Sequence, residues 1–343
     1  MRPIKLHRVL LIAIRRKYNA SGFLLEAEQQ STFLFAKRSF VCDIYFMKIT
    51  DYLSKDEFSY FRTASDLMGG WRIAFNYLLI AACFILFALY PNPMVFALGV
   101  LVLAGRILGL LILNHDAAHH SLFKTRTYNR LFARWLLAGP TLSDFDSYRE
   151  THLKHHKYAG TLDDPDISFV DSYPAPIDSI KRKFSRDLTG RTGIRDLLYL
   201  IKTSDLKSKI PFFVSHAVAM MLLVGFAGWK TGLLSYSMWW VAFLFVFPAV
   251  VRLRIMGEHG AVEKLIDSDP RRNTRTTLAN PLERLFVAPN FVNYHCEHHV
   301  LANVPGHKLP EFHTLLKQRG FYEKHPYAIE RGYVEIIRQC IRP

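Results

Sequence analysis

Four stretches of this 343-residue chain are long enough to cross a bilayer and almost free of charge. Residues 73–90 (IAFNYLLIAACFILFALY) carry none, 94–113 carry only Arg106, and 211–229 and 233–251 again carry none. A helix needs about 20 predominantly apolar residues to span the hydrocarbon core. Inside lipid its backbone polar groups must also be satisfied within the helix itself. The pattern therefore predicts an all-α integral membrane fold with four transmembrane helices.

The segments come in pairs, the first linked by Pro91-Asn92-Pro93 and the second by Lys230-Thr231-Gly232. Links this short allow only tight helical hairpins. Two hairpins inserted from one side leave residues 1–72, 114–210 and 252–343 together, with only Lys230 among the 44 Lys and Arg in a loop on the far side. The positive-inside bias makes the crowded side cytoplasmic. A basic face beside anionic headgroups accounts for the formal net charge of +15. A nucleic-acid partner is not expected, because no soluble module carries a basic stretch.

Two domains are expected. Residues 1–46 form a basic N-terminal extension, MRPIKLHRVLLIAIRRKY at its start, with no acidic residue before Glu26. It reads as a targeting segment, a membrane-surface helix or an over-long start. Residues 47–343 form the membrane domain. Ser54-Lys55-Asp56-Glu57 has capping-box spacing, with Phe58, Phe61 and Leu67 as candidates for one helix face. Residues 131–138 (LFARWLLA) read as a short interfacial or packed helix, and 181–209 as partly helical, basic and without recognisable chemistry. Cys42, Cys83, Cys296 and Cys340 form no CxxC and read as free thiols.

Ten of the fifteen histidines fall in four places: His115, His119 and His120 in HDAAHH; His152, His155 and His156 in HLKHH; His259 in GEHG; and His295, His298 and His299 in HCEHH. Residues at i, i+3 and i+4 share one helix face, so each HxxHH box presents three imidazoles in one direction. The first box follows the second apolar segment and His259 follows the fourth, which brings all four groups to one cytoplasmic cap. Neutral imidazole suits Zn, Cu, Fe and Ni. One tetrahedral zinc takes four ligands, so ten histidines point to two metals. Asp163, Asp164 and Asp166 in TLDDPD are candidates for orienting ligand imidazoles or for a solvated acidic loop. Cys296 reads as a spacer in its box, its helical position pointing off the histidine face. His216 stands alone within an apolar span.

HDAAHH after an apolar span, HLKHH about thirty residues on, and NYHCEHHVLANVPGHKLPEFH resemble the three histidine boxes of the membrane fatty acid desaturase family, over roughly residues 70–320. The resemblance implies two irons on the cytosolic side, and removal of two hydrogens from a lipid acyl chain with O₂ and two electrons. It implies ligation by His115, His119, His120, His152, His155, His156, His295, His298 and His299, with His259 as an additional ligand after the fourth span. Either His119 or His120 is open to an outer role. Some relatives carry an asparagine four residues before the additional histidine. Ile255 stands there, leaving the role vacant or filled by Glu258 or Asn293. Asp116, Asp164, Glu258, Asn293 and Glu297 are the candidate outer partners, and no separate protein acid or base is assigned. In the VP…LP…H tail, His307 and His313 read as structural or surface groups.

HPGG and a Gly-rich dinucleotide fingerprint are absent. The expected electron donor is a separate protein, a ferredoxin or cytochrome b5 with its reductase, and a basic face would steer an acidic one. Competing readings are a hydroxylase or ketolase of the same architecture acting on a fatty chain or carotenoid, a zinc-dependent membrane hydrolase with Glu297 or Glu258 as base, and a metal transporter. Transport sites lie near the bilayer midplane, whereas these boxes lie outside the apolar spans.

Overall fold

The computed structural model describes residues 49–342. The basic N-terminal stretch and the readings attached to it lie outside the described residues.

Ser54 caps α1 (Lys55–Arg62) as its spacing predicts: Ser54 Oγ accepts from Glu57 N, and Ser54 N donates to Glu57 Oε2 at 2.8 Å. Phe61 is buried and packs against Phe312 with ring centroids 5.0 Å apart. Leu67 does not join that face; it opens the next helix and is 82% exposed. That helix, α2 (Asp66–Leu89), and α3 (Pro93–Ala118) are the first two of three helical segments long and apolar enough to cross a membrane. Asn92 sets the start of α3, its Oδ1 accepting from Met94 N and Val95 N at 3.1 and 3.0 Å with Pro93 behind it. α3 overruns its apolar stretch and carries His115 on its last turn.

Between the apolar segments lie α4 (Arg126–Phe132), a π-helical turn at Ala133–Ala138, and α5 (Phe145–Tyr158) capped by Asp144. A short strand β1 (Ala175–Pro176) follows, then α6 (Ile177–Leu188) and α7 (Arg191–Thr203).

The third membrane-length segment is Leu206–His259. It comprises α8 (Leu206–Val241), a π-helical turn at Ala242–Val246 and α9 (Phe247–His259). Gly228 interrupts it with φ 74° and ψ 167°, a conformation open to glycine alone. The chain doubles back there. A Cβ on Gly232 would meet the backbone of Leu223 and Val224, and His216 Nδ1 lies 3.0 Å from the Tyr236 hydroxyl. A straight helix would separate those two residues by about 30 Å. The break falls at Gly228 rather than at the expected Lys230-Thr231-Gly232.

The C-terminal part consists of β2 (Thr276–Thr277), α10 (Pro281–Phe286), α11 (His295–Val300), α12 (Leu309–Gln318), β3 (Ile329–Glu330), α13 (Gly332–Gln339) and β4 (Ile341–Arg342). The strands pair in parallel, β1 with β4 and β2 with β3. They serve as staples. Arg106, the one charge in its apolar stretch, is buried and pairs: Nη1 donates to Asn76 Oδ1 at 3.2 Å and Nη2 to the Leu285 carbonyl at 2.5 Å. It thus ties the end of α10 to the first two apolar helices.

Candidate metal centre

Four helix ends carry the histidines. α3 brings His115, with His119 at its C-cap; α5 brings His152, His155 and His156; α9 ends on His259; and α11 carries His295, His298 and His299. Nine of these imidazoles converge in two groups. His115, His119, His152, His156 and His298 form one; His155, His259, His295 and His299 form the other. The donor atoms of each group lie within 4.8 Å of one another. The groups are adjacent, since the rings of His156 and His299 stack at 4.4 Å between centroids.

Each HxxHH box is divided between the groups. The i and i+4 histidines, His152 with His156 and His295 with His299, enter one group, while the i+3 histidine of the same box enters the other. At about 100° per residue, i+4 lies 40° to one side of i and i+3 lies 60° to the other. A single helix face is therefore wide enough to serve two centres, and it does not point at one.

Within the first group His115 Nε2 faces His298 Nε2 at 2.8 Å, His119 Nε2 faces His152 Nε2 at 2.8 Å, and His298 Nε2 faces His156 Nε2 at 2.9 Å. In the second, His295 Nε2 lies 2.9 Å from His259 Nε2 and 3.0 Å from His299 Nε2. Three of the rings have their Nδ1 engaged elsewhere. His155 Nδ1 is 2.8 Å from Asp164 Oδ1, His115 Nδ1 is 3.1 Å from Asp116 Oδ1, and His259 Nδ1 is 3.0 Å from the Asn273 carbonyl. These acceptors place the proton on Nδ1 and leave the Nε2 lone pair turned inward. Lone pairs facing one another at such distances repel unless a cation lies among them. Two metal–nitrogen bonds of about 2.1 Å at right angles put their nitrogens about 3.0 Å apart. The donor set fits a metal ion in each group.

Burial supports the same protonation state. It drives His119 down to about 3, and together with neighbouring imidazoles it holds His152, His156, His295, His298 and His299 well below the ordinary histidine range. A neutral imidazole is the ligating form. A cavity of about 140 Å³ opens beside the groups, lined by Tyr148, His152, His155, Asp166, Arg254 and Glu258 among others, with Ile255 in its wall.

Several sequence expectations land elsewhere. His120 joins neither group: the helix ends before it, its φ is 56°, and its exposed ring turns to Arg149, with Nε2 at 3.3 Å from Nη2. Glu297 is fully buried on the far side of α11, where it accepts from Thr276 Oγ1, His313 Nδ1 and the Tyr322 hydroxyl. It is an anchor for the box and does not face the imidazoles, so it offers no base for hydrolysis. Asn293 donates to the Thr277 carbonyl at 2.8 Å and makes no hydrogen bond to an imidazole. Glu258 Oε1 receives Arg254 Nε at 2.6 Å and stands 3.6 Å from His295 Nδ1. Cys296 is buried among apolar residues outside both groups, as a spacer would be.

Arg72 was not foreseen. Its Nη2 lies 2.7 Å from Asp116 Oδ2, so α2 orients the carboxylate that holds His115. The signal was weak, since an arginine at the end of an apolar span can also reach the interface without a partner. Tyr148, stacked on His152 at 5.4 Å with 7° between planes, gave no such signal.

Apolar helices of membrane-crossing length that gather buried and half-buried imidazoles into two metal-sized groups define a class: membrane proteins with a histidine cluster able to bind metal. The sequence model of the fatty acid desaturase family matches residues 91–331, well over half of the chain, and the chain belongs to that family of oxidoreductases. It is similar to the dihydrorhizobitoxine desaturase of Bradyrhizobium elkanii, at 27% identity over 278 residues covering 76% of this chain and 78% of that protein. It is also similar to the beta-carotene ketolases of Paracoccus sp. strain PC1 (28% identity, 62% of this chain, 78% of the ketolase) and of strain N81106 / MBIC 01143 (26% identity, 60% and 74%).

Proposed function

We propose that the chain is an O₂-dependent di-iron desaturase that introduces a double bond into a lipid acyl chain. The observation that carries this reading is the convergence of nine imidazoles into two adjacent groups in a chain of the desaturase family. Two irons bound there would supply O₂ activation strong enough to take hydrogen from an unreactive C–H bond. His115, His119, His152, His156 and His298 would hold one, and His155, His259, His295 and His299 the other. Asp116, locked by Arg72, and Asp164 hold the proton on Nδ1 of His115 and His155 so that each Nε2 is free to bind. Five of the nine imidazoles are buried and four half-buried, which limits the access of bulk water to the reacting centre.

The membrane reading follows the same logic. Four crossings in two hairpins are supported by Asn92 at the first turn and by the reversal at Gly228 in the second. The positive-inside bias then puts the histidine groups in a helical cap on the cytoplasmic side. Electrons come from a separate donor, a ferredoxin or cytochrome b5 with its reductase.

A second reading, oxygenation of a fatty chain or carotenoid, is favoured by the two ketolase relatives. Lipid mass spectrometry with double-bond localisation, after expression with a compatible reductase, separates the two. A product lighter by two hydrogens with no oxygen gained supports desaturation, one that gains an oxygen atom, with or without the loss of two hydrogens, supports the second reading, and a purified protein holding zinc without iron would overturn both.

A further inference from the structure

Helix α7 takes no part in the histidine centre, yet its surface is divided into ordered strips. At about 100° per residue, Gly193, Leu197 and Leu200 share one arc. Gly193 is buried so tightly that a Cβ there would meet the backbone of Leu244, and Leu197 packs on the main core. The next arc carries Ile201, Ile194 and Leu198, which are 47%, 45% and 61% exposed. Beside it run Arg191, Lys202 and Arg195, all exposed, with Arg195 paired to its neighbour Asp196 at 2.7 Å, and the remaining arc holds the exposed Tyr199 with Thr192, Asp196 and Thr203.

The helix is fixed in this orientation. Gly190 turns the corner from α6 with φ 78°. Asp187, fully buried, accepts from Arg252 Nε at 2.5 Å, from Arg252 Nη2 at 3.0 Å and from Thr192 Oγ1 at 2.6 Å, which clamps the corner onto α9. Leu244 belongs to the membrane-length segment Leu206–His259, so whatever surrounds that segment at Leu244 also reaches α7. Beyond Thr203, Leu206 and Ile210 at the start of that segment are exposed as well.

We propose that α7 lies in the headgroup layer of an anionic leaflet, with Ile194, Leu198 and Ile201 among the acyl chains and Arg191, Arg195 and Lys202 on lipid phosphates. An apolar strip bordered by a basic one is the arrangement that binds such a surface. The inference rests on the reading of Leu206–His259 as membrane-spanning.

The test uses the full chain in lipid nanodiscs with Cys42 and Cys83 replaced by serine, Cys296 and Cys340 being buried. A bimane fluorophore is attached at Leu198→Cys, Thr203→Cys or Leu222→Cys, and quenching is read with acyl-brominated phosphatidylglycerol or phosphatidylcholine at equal mole fraction. Quenching at 198 and 222 but little at 203 is expected. At 198 the anionic lipid should quench about twofold more than the neutral one, an excess lost in the R191Q/R195Q/K202Q variant. Quenching at 222 without quenching at 198 overturns the placement of α7 and leaves the crossing intact. Absence at both overturns the crossing as well. Equal quenching by the two lipids overturns the anionic recognition, and a label at 198 shielded from aqueous iodide but not reached by lipid shows a protein occupant instead.

Discussion

Asp164 Oδ1 lies 2.8 Å from His155 Nδ1, so a loop carboxylate sets the tautomer of the one α5 histidine that enters the second group. Removing such an outer partner typically lowers metal affinity about 10–100-fold. Asp164→Ala should therefore lose metal from the second group first, and Asp164→Asn, which keeps an acceptor, should lose less. Metal content after dialysis against graded chelator checks the order. Equal retention in both variants would remove Asp164 from the centre.

His119 and His120 are neighbours in sequence with opposite surroundings. His120→Ala should retain metal and turnover near those of the unaltered chain, because its ring faces Arg149 and lies outside both groups. His119→Ala, His155→Ala and His298→Ala should abolish turnover while the protein still inserts in membranes. Iron per chain and lipid product, measured side by side, distinguish the two classes.

Glu297 gathers three donors behind α11, from Thr276, His313 and Tyr322. A buried donor left without its partner costs about 1–3 kcal/mol. Glu297→Ala should accordingly lower unfolding stability by about 3 kcal/mol or more, and Glu297→Gln by less. Thermal unfolding in detergent, read together with metal content, tests this; metal should fall with stability because α11 loses its anchor.

Gly105 allows α10 to approach α3, since a Cβ there would meet the Leu285 carbonyl oxygen and the backbone of Phe286. Gly105→Leu should displace α10 and cost about 1–3 kcal/mol from overpacking. Gly70→Ala is the control, because nothing lies within 4 Å of a Cβ at that position. A shift in melting temperature for Gly105→Leu alone is the expected result.

How much of this was legible follows from what each signal depends on. The apolar helices, the Ser54 capping box and the identity of the histidine boxes depend on local composition and spacing, and the chain carries both in plain form. The position of the second reversal was misplaced by two residues because Gly228 and Gly232 are both able to turn a chain, and packing chose between them. Outer partners were harder to read. Asp164 stood out in an acidic loop, but Arg72 meets Asp116 only because α2 packs on α3, and Glu297 seemed to belong to the site until α11 was oriented.

By itself the sequence determined that histidines would gather at the ends of apolar helices, since helix length and the i, i+3, i+4 spacing are properties of single segments. Only the tertiary structure decided which imidazole serves which group. His152 and His156 turn to one centre and His155 to the other because α3, α9 and α11 close on the two sides of α5. His119 is inside and His120 outside because α3 ends between them, and that ending depends on the turn that follows as much as on the residues themselves.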